Sequence, residues 1–350
     1  MTARSAESLG VYVLPGPAMD PSPTVLQTTE ADRIGLGHAW MSELQGPFKD
    51  AGALCGYMAA STQRIKVGTS ITHFGTRHPM VLASWGATMQ QMSGNRFLFG
   101  FGRSTPIRWK NWGIPVPTLE SMRDYTTILR RLWNGETFSY EGPAGTYPHL
   151  TFDYFPEFTP PPLMIAAIGP KTLALAGSHF DAALLHPFLT PEAVTRSIEI
   201  VRRSAEQAGR DPQSVQVFHQ LVIAPDLDQA GVDEAVYKRA AAYFAHPGFG
   251  EPIIAANGWE VSRFDEYRAA ASKAEQENIA KGSPLKGREV YLEPSRLLPP
   301  ELISEGAAIG TAAACAARLG DYMDAGADGI VIHGVTAERL ESTVKEFVAH

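Results

Sequence analysis

The sequence predicts an α/β fold, a single (β/α)8 barrel of the TIM type that occupies residues 1–350 as one domain. Short β-branched or apolar runs alternate with helical patterns along most of the chain, and eight such runs can be counted. Eight strands with helical crossovers favour a closed barrel over an open, doubly wound sheet. A chain of 350 residues is long for one average domain but ordinary for an α/β barrel.

The clearest strand–helix–strand unit spans residues 64–103. Residues 64–72 form a β-branched run that is typical of a buried parallel strand. Pro79 stands where the first turn of a helix tolerates proline, an apolar helical face follows, and Gly94 is placed to end that helix. Residues 95–102 predict a second short strand. Because functional groups of such barrels collect where the strands end, the residues just after these two strands are the first candidates for a site.

The remaining elements continue the same alternation. The other predicted strands are residues 9–14, 38–41, 163–168, 181–185, 215–224 and 329–333, and the other helices are 24–34, 46–61, 118–134, 170–177, 191–208, 311–325 and 337–348. Thr118 and Thr190 are predicted N-caps, and Gly135 follows the helix that Thr118 begins. Residues 135–162, rich in aromatic residues and proline, predict a lid-like excursion after strand 4, and residues 228–306 predict an insertion after strand 7.

Composition argues against several classes of protein. The net charge is −7 and no stretch clusters Lys and Arg, which disfavours a nucleic-acid surface. The first ten residues lack the apolar run of a signal peptide, and no 18-residue apolar segment predicts a membrane span. Cys55 and Cys315 have no CxxC partner, which fits two reduced, buried thiols in a cytoplasmic protein. Since HExxH, GxSxG and Walker A patterns are absent, no metal site is predicted, and hydrolase and P-loop functions lose support.

Longer stretches of the sequence resemble a known family. They are RHPMVLASWGATMQQMSGNRFLFGFGRS, MRDYTTILRRLWNGETFSYEG, PPLMIAAIGPKTLALAGSHFDAALLHPFLTPEAV and IGTAAACAARLGDYMDAGADGIVIHG. Together they resemble the luciferase-like flavin and deazaflavin oxidoreductases, and the GPKTLALAG and HPGFG wording is similar to the branch that uses coenzyme F420, a deazaflavin. The resemblance implies a homodimeric TIM barrel that transfers a hydride between F420 and a small organic substrate. Two alternatives stay open: an FMN-dependent luciferase-like monooxygenase, and a barrel that binds flavin or deazaflavin without turnover.

The end of the third strand is the first candidate for cofactor binding. The resemblance implies a cis peptide bond between Ser70 and Ile71, in a bulge with Thr72 that presses on the back of the deazaflavin ring. An ordinary strand end is the alternative. Gly100 and Gly102 allow close approach of a flat ring, or they relieve crowding at the end of the next strand.

Two further groups are candidates for binding anionic parts of a cofactor. Arg103 leaves a barrel strand, where a cation binds a phosphate or carboxylate or forms a surface salt bridge. The segment Gly169, Pro170, Lys171 and Thr172 joins a strand end to a helix start, which predicts a phosphate site, with help from the turn that holds His186 and Thr190. A plain helix N-terminus with a solvated Lys171 is the alternative.

Glu43 and His73 are the candidate catalytic residues. The resemblance implies an acidic residue after the second strand, followed by a His near the reacting ring. Glu43 matches the acid, but Leu44 stands where the His is common, so another imidazole has to replace it. His73, one residue beyond the predicted bulge, is better placed for this than His38 or His78. Hydride transfer itself requires only proximity and orientation of the ring.

Aromatic residues near the strand ends are candidates for an apolar substrate pocket. Such a pocket over the ring would be lined by Trp40, Phe74, Trp109 and Trp112, together with the lid Tyr140–Phe158. The alternative is that they pack as satellite core clusters beneath the loops.

Overall fold

The chain folds as a closed (β/α)8 TIM barrel, as the sequence predicts. The computed structural model describes residues 4–13, 20–43, 50–104, 106–154, 157–245, 250–282 and 287–349. All eight predicted barrel strands are present there, and the pairs β1–β2, β2–β3, β3–β5, β5–β8 and β10–β12 are parallel, as helical crossovers require.

The barrel strands are β1, β2, β3, β5, β8, β9, β10 and β12. The strands of the described residues are β1 Leu9–Tyr12, β2 His38–Met41, β3 Lys66–Thr69, β4 Thr72–His73, β5 Phe97–Gly102, β6 Phe138–Gly142, β7 Gly145–Leu150, β8 Leu163–Ala167, β9 Ala182–Leu185, β10 Gln216–Pro225, β11 Ala307–Gly310 and β12 Gly329–His333. The α-helices are α1 Ser22–Arg33, α2 Ala51–Ala60, α3 Pro79–Met92, α4 Pro106–Trp112, α5 Leu119–Trp133, α6 Pro170–His179, α7 Pro191–Gln207, α8 Gln229–Val232, α9 Lys238–Phe244, α10 Glu251–Asn257, α11 Asp265–Ala280, α12 Pro300–Gly306, α13 Ala312–Asp324 and α14 Glu341–Ala349. A π-helical segment, Asp233–Tyr237, joins α8 to α9.

The chain divides into two compact units. The N-terminal unit comprises Gly10–Leu184 with Ile200–Val217, and its central strands follow the order β1-β2-β3-β5-β8. The C-terminal unit comprises Met1–Leu9, Leu185–Glu199 and Phe218–His350, and its strands follow the order β11-β10-β12.

The core of the N-terminal unit is built from its strands. All four residues of β2 are buried, as are all six of β5, which is expected of parallel strands covered on both faces. The indole of Trp40 lies over Gly68, where a Cβ atom would come within 2.7 Å of the ring. Trp40 is fully buried and stacks on His38, so the structure gives it the core-packing role that was the alternative to a pocket wall.

Helix boundaries follow the signals in the sequence. The Thr118 side chain caps α5 by accepting a hydrogen bond from the Ser121 N–H, and Gly135 after this helix has a φ of +74°. α3 starts at Pro79, with Nδ1 of His78 accepting from the Met80 N–H at 3.2 Å. α2 begins at Ala51, and the Asp50 side chain caps it by accepting from the Ala53 N–H. Residues 46–49 of that predicted helix lie outside the described residues.

The sequence-based prediction lacks helix α4, the hairpin β6–β7 and strand β11. α4 has only seven residues, too few for a helical period to stand out. The 135–162 excursion contains the antiparallel hairpin β6–β7, whose mostly exposed residues show no clean apolar alternation. β11 is a four-residue strand that pairs with β10 after the insertion, and the insertion itself is largely helical.

Two further observations concern the chain as a whole. Cys55 and Cys315 are both buried and unbonded, as predicted. In the described ranges, every helix is too short or too polar to cross a bilayer.

Candidate active site

The candidate site of the N-terminal unit lies just beyond the end of β3. The predicted strand 64–72 is interrupted there, because the Ser70–Ile71 peptide bond is cis and separates β3 from β4. The cis bond is therefore confirmed. The bulge is tied to the chain after β2, since the Ser70 N–H donates to the Met41 carbonyl at 2.8 Å and the Glu43 N–H donates to the Ile71 carbonyl at 3.1 Å.

A carboxylate cluster is centred on Glu43, whose side chain is only 9% exposed. One oxygen, Oε1, lies 2.6 Å from Nη1 of Arg77. The other, Oε2, accepts a hydrogen bond from the Thr72 hydroxyl and lies 3.7 Å from Nδ1 of His73. Arg77 also pairs with Asp50 at 3.2 Å, so it is held from two sides. The structure thus brings the two candidate catalytic residues together.

The environment keeps Glu43 ionised. Burial by itself opposes ionisation of this carboxyl group, but the hydrogen bonds from His73 and Thr72, with the charge and hydrogen bond of Arg77, outweigh it and lower the pKa to about 2. Glu43 is therefore an anion at neutral pH. It can orient and stabilise a cationic neighbour, but it carries no proton to donate.

His73 is enclosed by aromatic rings. It is 2% exposed, and its ring meets Trp109 and Trp112 edge-on at centroid distances of 5.7 and 5.4 Å. Both tryptophans belong to α4, and the indole N–H of Trp109 donates to the Arg103 carbonyl, which anchors this helix to the end of β5. Two of the predicted pocket aromatics therefore surround the candidate imidazole.

Phe74 has a different role from these tryptophans. It is fully buried, stacks on Phe101 at 4.1 Å and on Tyr125 at 5.4 Å, and belongs to the core. As for Trp40, the structure favours the packing alternative over a pocket wall.

The two glycines of β5 are explained by crowding. A Cβ atom on Gly100 would lie 2.0 Å from the Thr69 carbonyl oxygen and 2.6 Å from Cε of Met164. A Cβ atom on Gly102 would lie 2.7 Å from Cδ1 of Ile71, so this glycine makes room for the bulge residue itself. The neighbouring strand and the bulge thus account for both glycines without a ring. Arg103, the next residue, has an exposed side chain.

Two buried hydroxyl groups flank the bulge. Oγ of Ser70 and Oγ of Ser42 are inaccessible to solvent, and neither has a hydrogen-bond partner in the described residues. A buried polar group without a partner is costly, so such atoms mark places where a ligand's polar edge fits. Both hydroxyls therefore lie beside the bulge at which the sequence predicts the cofactor ring.

The start of α6 is open, and Lys171 on this helix lines a groove that contains none of the bulge residues 70–72. Gly169 is the N-cap without a side-chain cap, and a Cβ atom there would meet nothing within 4 Å. Thr172 donates its N–H to the Gly169 carbonyl at 3.0 Å. The exposed Lys171 lines a groove between α5, α6 and α7, together with Arg123 and Ser204.

His186 and Thr190 belong to the C-terminal unit. Thr190 caps α7 by accepting from the Ala193 N–H at 3.2 Å, and its own N–H donates to Oδ1 of Asn257 at 2.9 Å. His186 makes a hydrogen bond from Nδ1 to the Pro187 carbonyl at 2.9 Å, and burial lowers its pKa to about 4. These contacts give both residues structural roles, and their part in a phosphate site stays a prediction.

Sequence reasoning missed Arg77 and Ser42. Arg77 lies five residues after Thr72, in the turn before α3. The feature of the sequence that could have identified it is a cationic residue shortly after a predicted strand end. Ser42 directly follows β2, and nothing in a sequence distinguishes a solvated hydroxyl at such a position from a buried one. In the described ranges no cluster of three or more His, Cys, Asp or Glu residues could hold a metal ion.

The cis bulge and the buried pair of Glu43 and His73 lie at the strand ends of a TIM barrel, where the active sites of α/β-barrel enzymes are found. The chain belongs to the luciferase-like monooxygenase family, whose model matches residues 4–329. Over 213 residues it is 28% identical to the phthiodiolone/phenolphthiodiolone dimycocerosates ketoreductase of Mycobacterium bovis BCG, a match that covers 59% of this chain and 55% of that protein.

Solved structures share the fold over nearly the whole chain. The coenzyme F420-dependent tetrahydromethanopterin reductase of Methanopyrus kandleri superposes with a TM-score of 0.77 at 19% identity, covering 98% of this chain and 99% of that one. An F420-dependent secondary alcohol dehydrogenase, bound to an F420–acetone adduct, gives 0.73 at 17% identity, covering 98% of each chain. A type II Baeyer–Villiger monooxygenase of Pseudomonas putida in complex with FMN gives 0.62 at 16% identity, again covering 98% of each chain.

Proposed function

We propose that this protein is a coenzyme F420-dependent oxidoreductase that transfers a hydride between the deazaflavin and a small organic substrate. The observation that carries the proposal is the bulge beyond β3, where the buried hydroxyls of Ser42 and Ser70 lack partners in the described residues. It is supported by the F420-dependent enzymes among the structural neighbours and by the relative named a ketoreductase.

Ser70, Ile71 and Thr72 would hold the ring. The partnerless Ser70 hydroxyl supplies a hydrogen bond to its polar edge, and Ile71, packed against Gly102, supplies an apolar surface. A bound deazaflavin supplies the centre that takes or gives the hydride. The cofactor phosphate is proposed to bind at the start of α6, where Gly169 leaves the helix end open.

His73 is proposed to hold the proton that accompanies hydride transfer to a carbonyl. Glu43 is ionised, so it acts as the positioning residue that faces Nδ1 of His73, while Arg77 and Thr72 fix its carboxylate. Trp109 and Trp112 exclude water from the imidazole. His73 thereby takes the place of the imidazole that is common at the position of Leu44.

Titration of the purified protein with F420 and, separately, with FMN tests the proposal through quenching of cofactor fluorescence. We expect selective binding of F420, and a Ser70→Ala variant should bind it about tenfold more weakly, the loss of one hydrogen bond to a buried group. Ser272→Ala, at an exposed position of α11, is the matched control and should bind as the wild type does.

Three other results are informative. Selective FMN binding would favour the monooxygenase alternative, for which the FMN-bound neighbour is the specific observation. Tight F420 binding with no spectral change across a panel of substrates would favour a binding protein without turnover. If neither cofactor binds, the proposal is wrong.

We also propose that the protein is a homodimer. Tyr57 on α2 and Met92 on α3 are 47% and 57% exposed, and Cε of Met92 approaches the Cβ position of Gly56 on the neighbouring helix. Large exposed apolar side chains on adjacent helices fit an interface with a second copy.

Light scattering after size-exclusion chromatography is expected to give twice the chain mass for the wild type and a shift toward the monomer for Met92→Glu, because the new carboxylate would be buried unpaired. Val348→Glu on α14, which replaces a similarly exposed side chain in the C-terminal unit, should leave the mass unchanged. A wild-type monomer would contradict the homodimer.

A further inference from the structure

Within the part of the chain that the structure describes, one buried arginine of the C-terminal unit has no counter-ion. Arg239, on α9, is only 6% exposed. In the described ranges its guanidinium makes one polar contact, from Nη1 to Nδ1 of His333 at 3.4 Å, and its Nε–H has no hydrogen-bond partner. Burying a charge is strongly unfavourable unless it is paired. We therefore expect an anionic group to bind beside this guanidinium.

The imidazole beside Arg239 is held neutral by a chain of hydrogen bonds. The Gln220 side-chain amide donates from Nε2 to the Leu185 carbonyl at 3.2 Å, which turns its Oε1 toward Nε2 of His333 at 2.7 Å. Nε2 of His333 must then be the protonated nitrogen, and Nδ1 accepts from Arg239. His333 is therefore a neutral support for the guanidinium and cannot balance its charge.

The electrostatic surroundings of His333 are basic. Burial is the main cause that lowers its pKa well below the ordinary value, and the charges of Arg239 and Arg288 lower it further, with His186 and His219 acting in the same direction. All of these groups oppose a positive charge on the imidazole. At neutral pH the charged members of this set are Arg239 and Arg288, and both would stabilise an anion placed beside them.

The position of the pair matches a functional place in the barrel. His333 is the last residue of β12 and Leu185 the last of β9, so the hydrogen-bond chain runs across the carboxyl ends of the strands. Gln220 lies two residues before Val222, the register partner of His333, which puts both side chains on the same face of the sheet. The ligands of TIM barrels bind at this end.

We propose that Arg239, backed by His333, binds an oxyanion, the carboxylate or phosphate group of a substrate. Nη1 of Arg239 is engaged by His333, and the other edge of the guanidinium, Nε with Nη2, has the geometry that grips two oxygens of one anion. The substrate class is thus a carboxylated or phosphorylated small molecule. Only the assignment of the anion to a substrate rests on the proposed oxidoreductase function, and the oxyanion site itself does not.

Thermal unfolding with inorganic phosphate as the probe tests the site, against sodium chloride at equal ionic strength. The wild-type Tm should rise with phosphate and not with chloride. Arg239→Met should unfold at a higher temperature than the wild type without phosphate, because an unpaired buried charge is removed, and its phosphate affinity should fall tenfold or more. Arg263→Met, which removes an exposed arginine paired with Glu301, should keep the wild-type response to phosphate.

The opposite pattern overturns the proposal. If Arg239→Met lowers the Tm without phosphate and still responds to phosphate as the wild type does, Arg239 is a packing residue. The same conclusion follows if neither phosphate nor acetate stabilises the wild type beyond chloride. The acetate titration distinguishes a carboxylate site from a phosphate site.

Repeating the phosphate titration with saturating F420 identifies the source of the anion. Unchanged phosphate affinity in the loaded protein supports a substrate anion, whereas competition assigns Arg239 to the acidic part of the cofactor and overturns the substrate assignment. If F420 does not bind, the proposed function fails, while the response of Arg239→Met to phosphate still decides the oxyanion site.

Discussion

Gly100→Ala is expected to lower the free energy of unfolding by about 3 kcal/mol or to prevent folding. The added Cβ atom would lie 2.0 Å from the carbonyl oxygen of Thr69, a backbone atom that cannot move without shifting β3. Thr69 also exchanges two hydrogen bonds with the Gly100 backbone, at 2.7 and 2.8 Å, which hold the two strands together. Urea unfolding followed by circular dichroism measures the loss.

Two other glycines complete the test as a graded series. In Gly102→Ala the new atom would lie nearest to side-chain atoms, Cδ1 and Cγ1 of Ile71 at 2.7 and 2.8 Å, and no backbone atom is among its three nearest neighbours, so the loss of stability should be smaller. If Ile71 backs a ring, this variant should also bind the cofactor more weakly. In Gly169→Ala it meets nothing within 4 Å at a φ of −78°, and stability should change by about 1 kcal/mol or less. Equal losses in all three variants would contradict the crowding explanation.

This series also shows where sequence reasoning stops. A glycine at a strand end is compatible with a ring or with a crowded neighbour, and only the position of the Thr69 oxygen decides for Gly100. The barrel itself was predictable, because buried parallel strands are continuous apolar runs, which can be recognised from the local sequence alone. β2 even matches the predicted residues 38–41 at both ends.

The candidate site was predictable in part. The family resemblance located the cis bond at Ser70–Ile71 and singled out Glu43, and His73 was chosen because it follows the predicted bulge by one residue. The fold brings Oε2 of Glu43 and Nδ1 of His73 to 3.7 Å from each other. The roles of Arg77 and Arg239 were not predictable, because the role of a cation depends on which side chains the fold places beside it. Arg77 meets two carboxylates and stabilises them, whereas Arg239 meets a neutral imidazole.

The fixed charge of Glu43 leads to the second large effect. Glu43→Gln is expected to lower the free energy of unfolding at pH 7 by about 3 kcal/mol, since a pKa lowered from 4.5 to about 2 corresponds to that much coupling with the fold. Glu30→Gln removes a more exposed carboxylate paired with Arg33 at 2.6 Å and serves as the control, with an expected loss below about 1 kcal/mol.

The pH dependence separates this mechanism from simple packing loss. Because the folded-state pKa of Glu43 is lowered, its contribution is complete above about pH 4.5 and disappears as the pH falls toward 2. Urea unfolding from pH 7 to pH 3 should therefore show the wild type losing its advantage over Glu43→Gln at the acid end. If the difference in the free energy of unfolding between the two proteins stays constant with pH, Glu43 stabilises the fold through its packing and not through its charge.

The same variant decides how Glu43 takes part in turnover. If Glu43 only positions His73, Glu43→Gln should lower kcat without adding or removing a limb in the neutral part of the pH profile, because the carboxylate does not titrate there. A limb that disappears with the carboxylate would make Glu43 itself the proton carrier. Unchanged turnover at every pH would leave the cluster with Arg77 and Thr72 a purely structural clamp on the bulge.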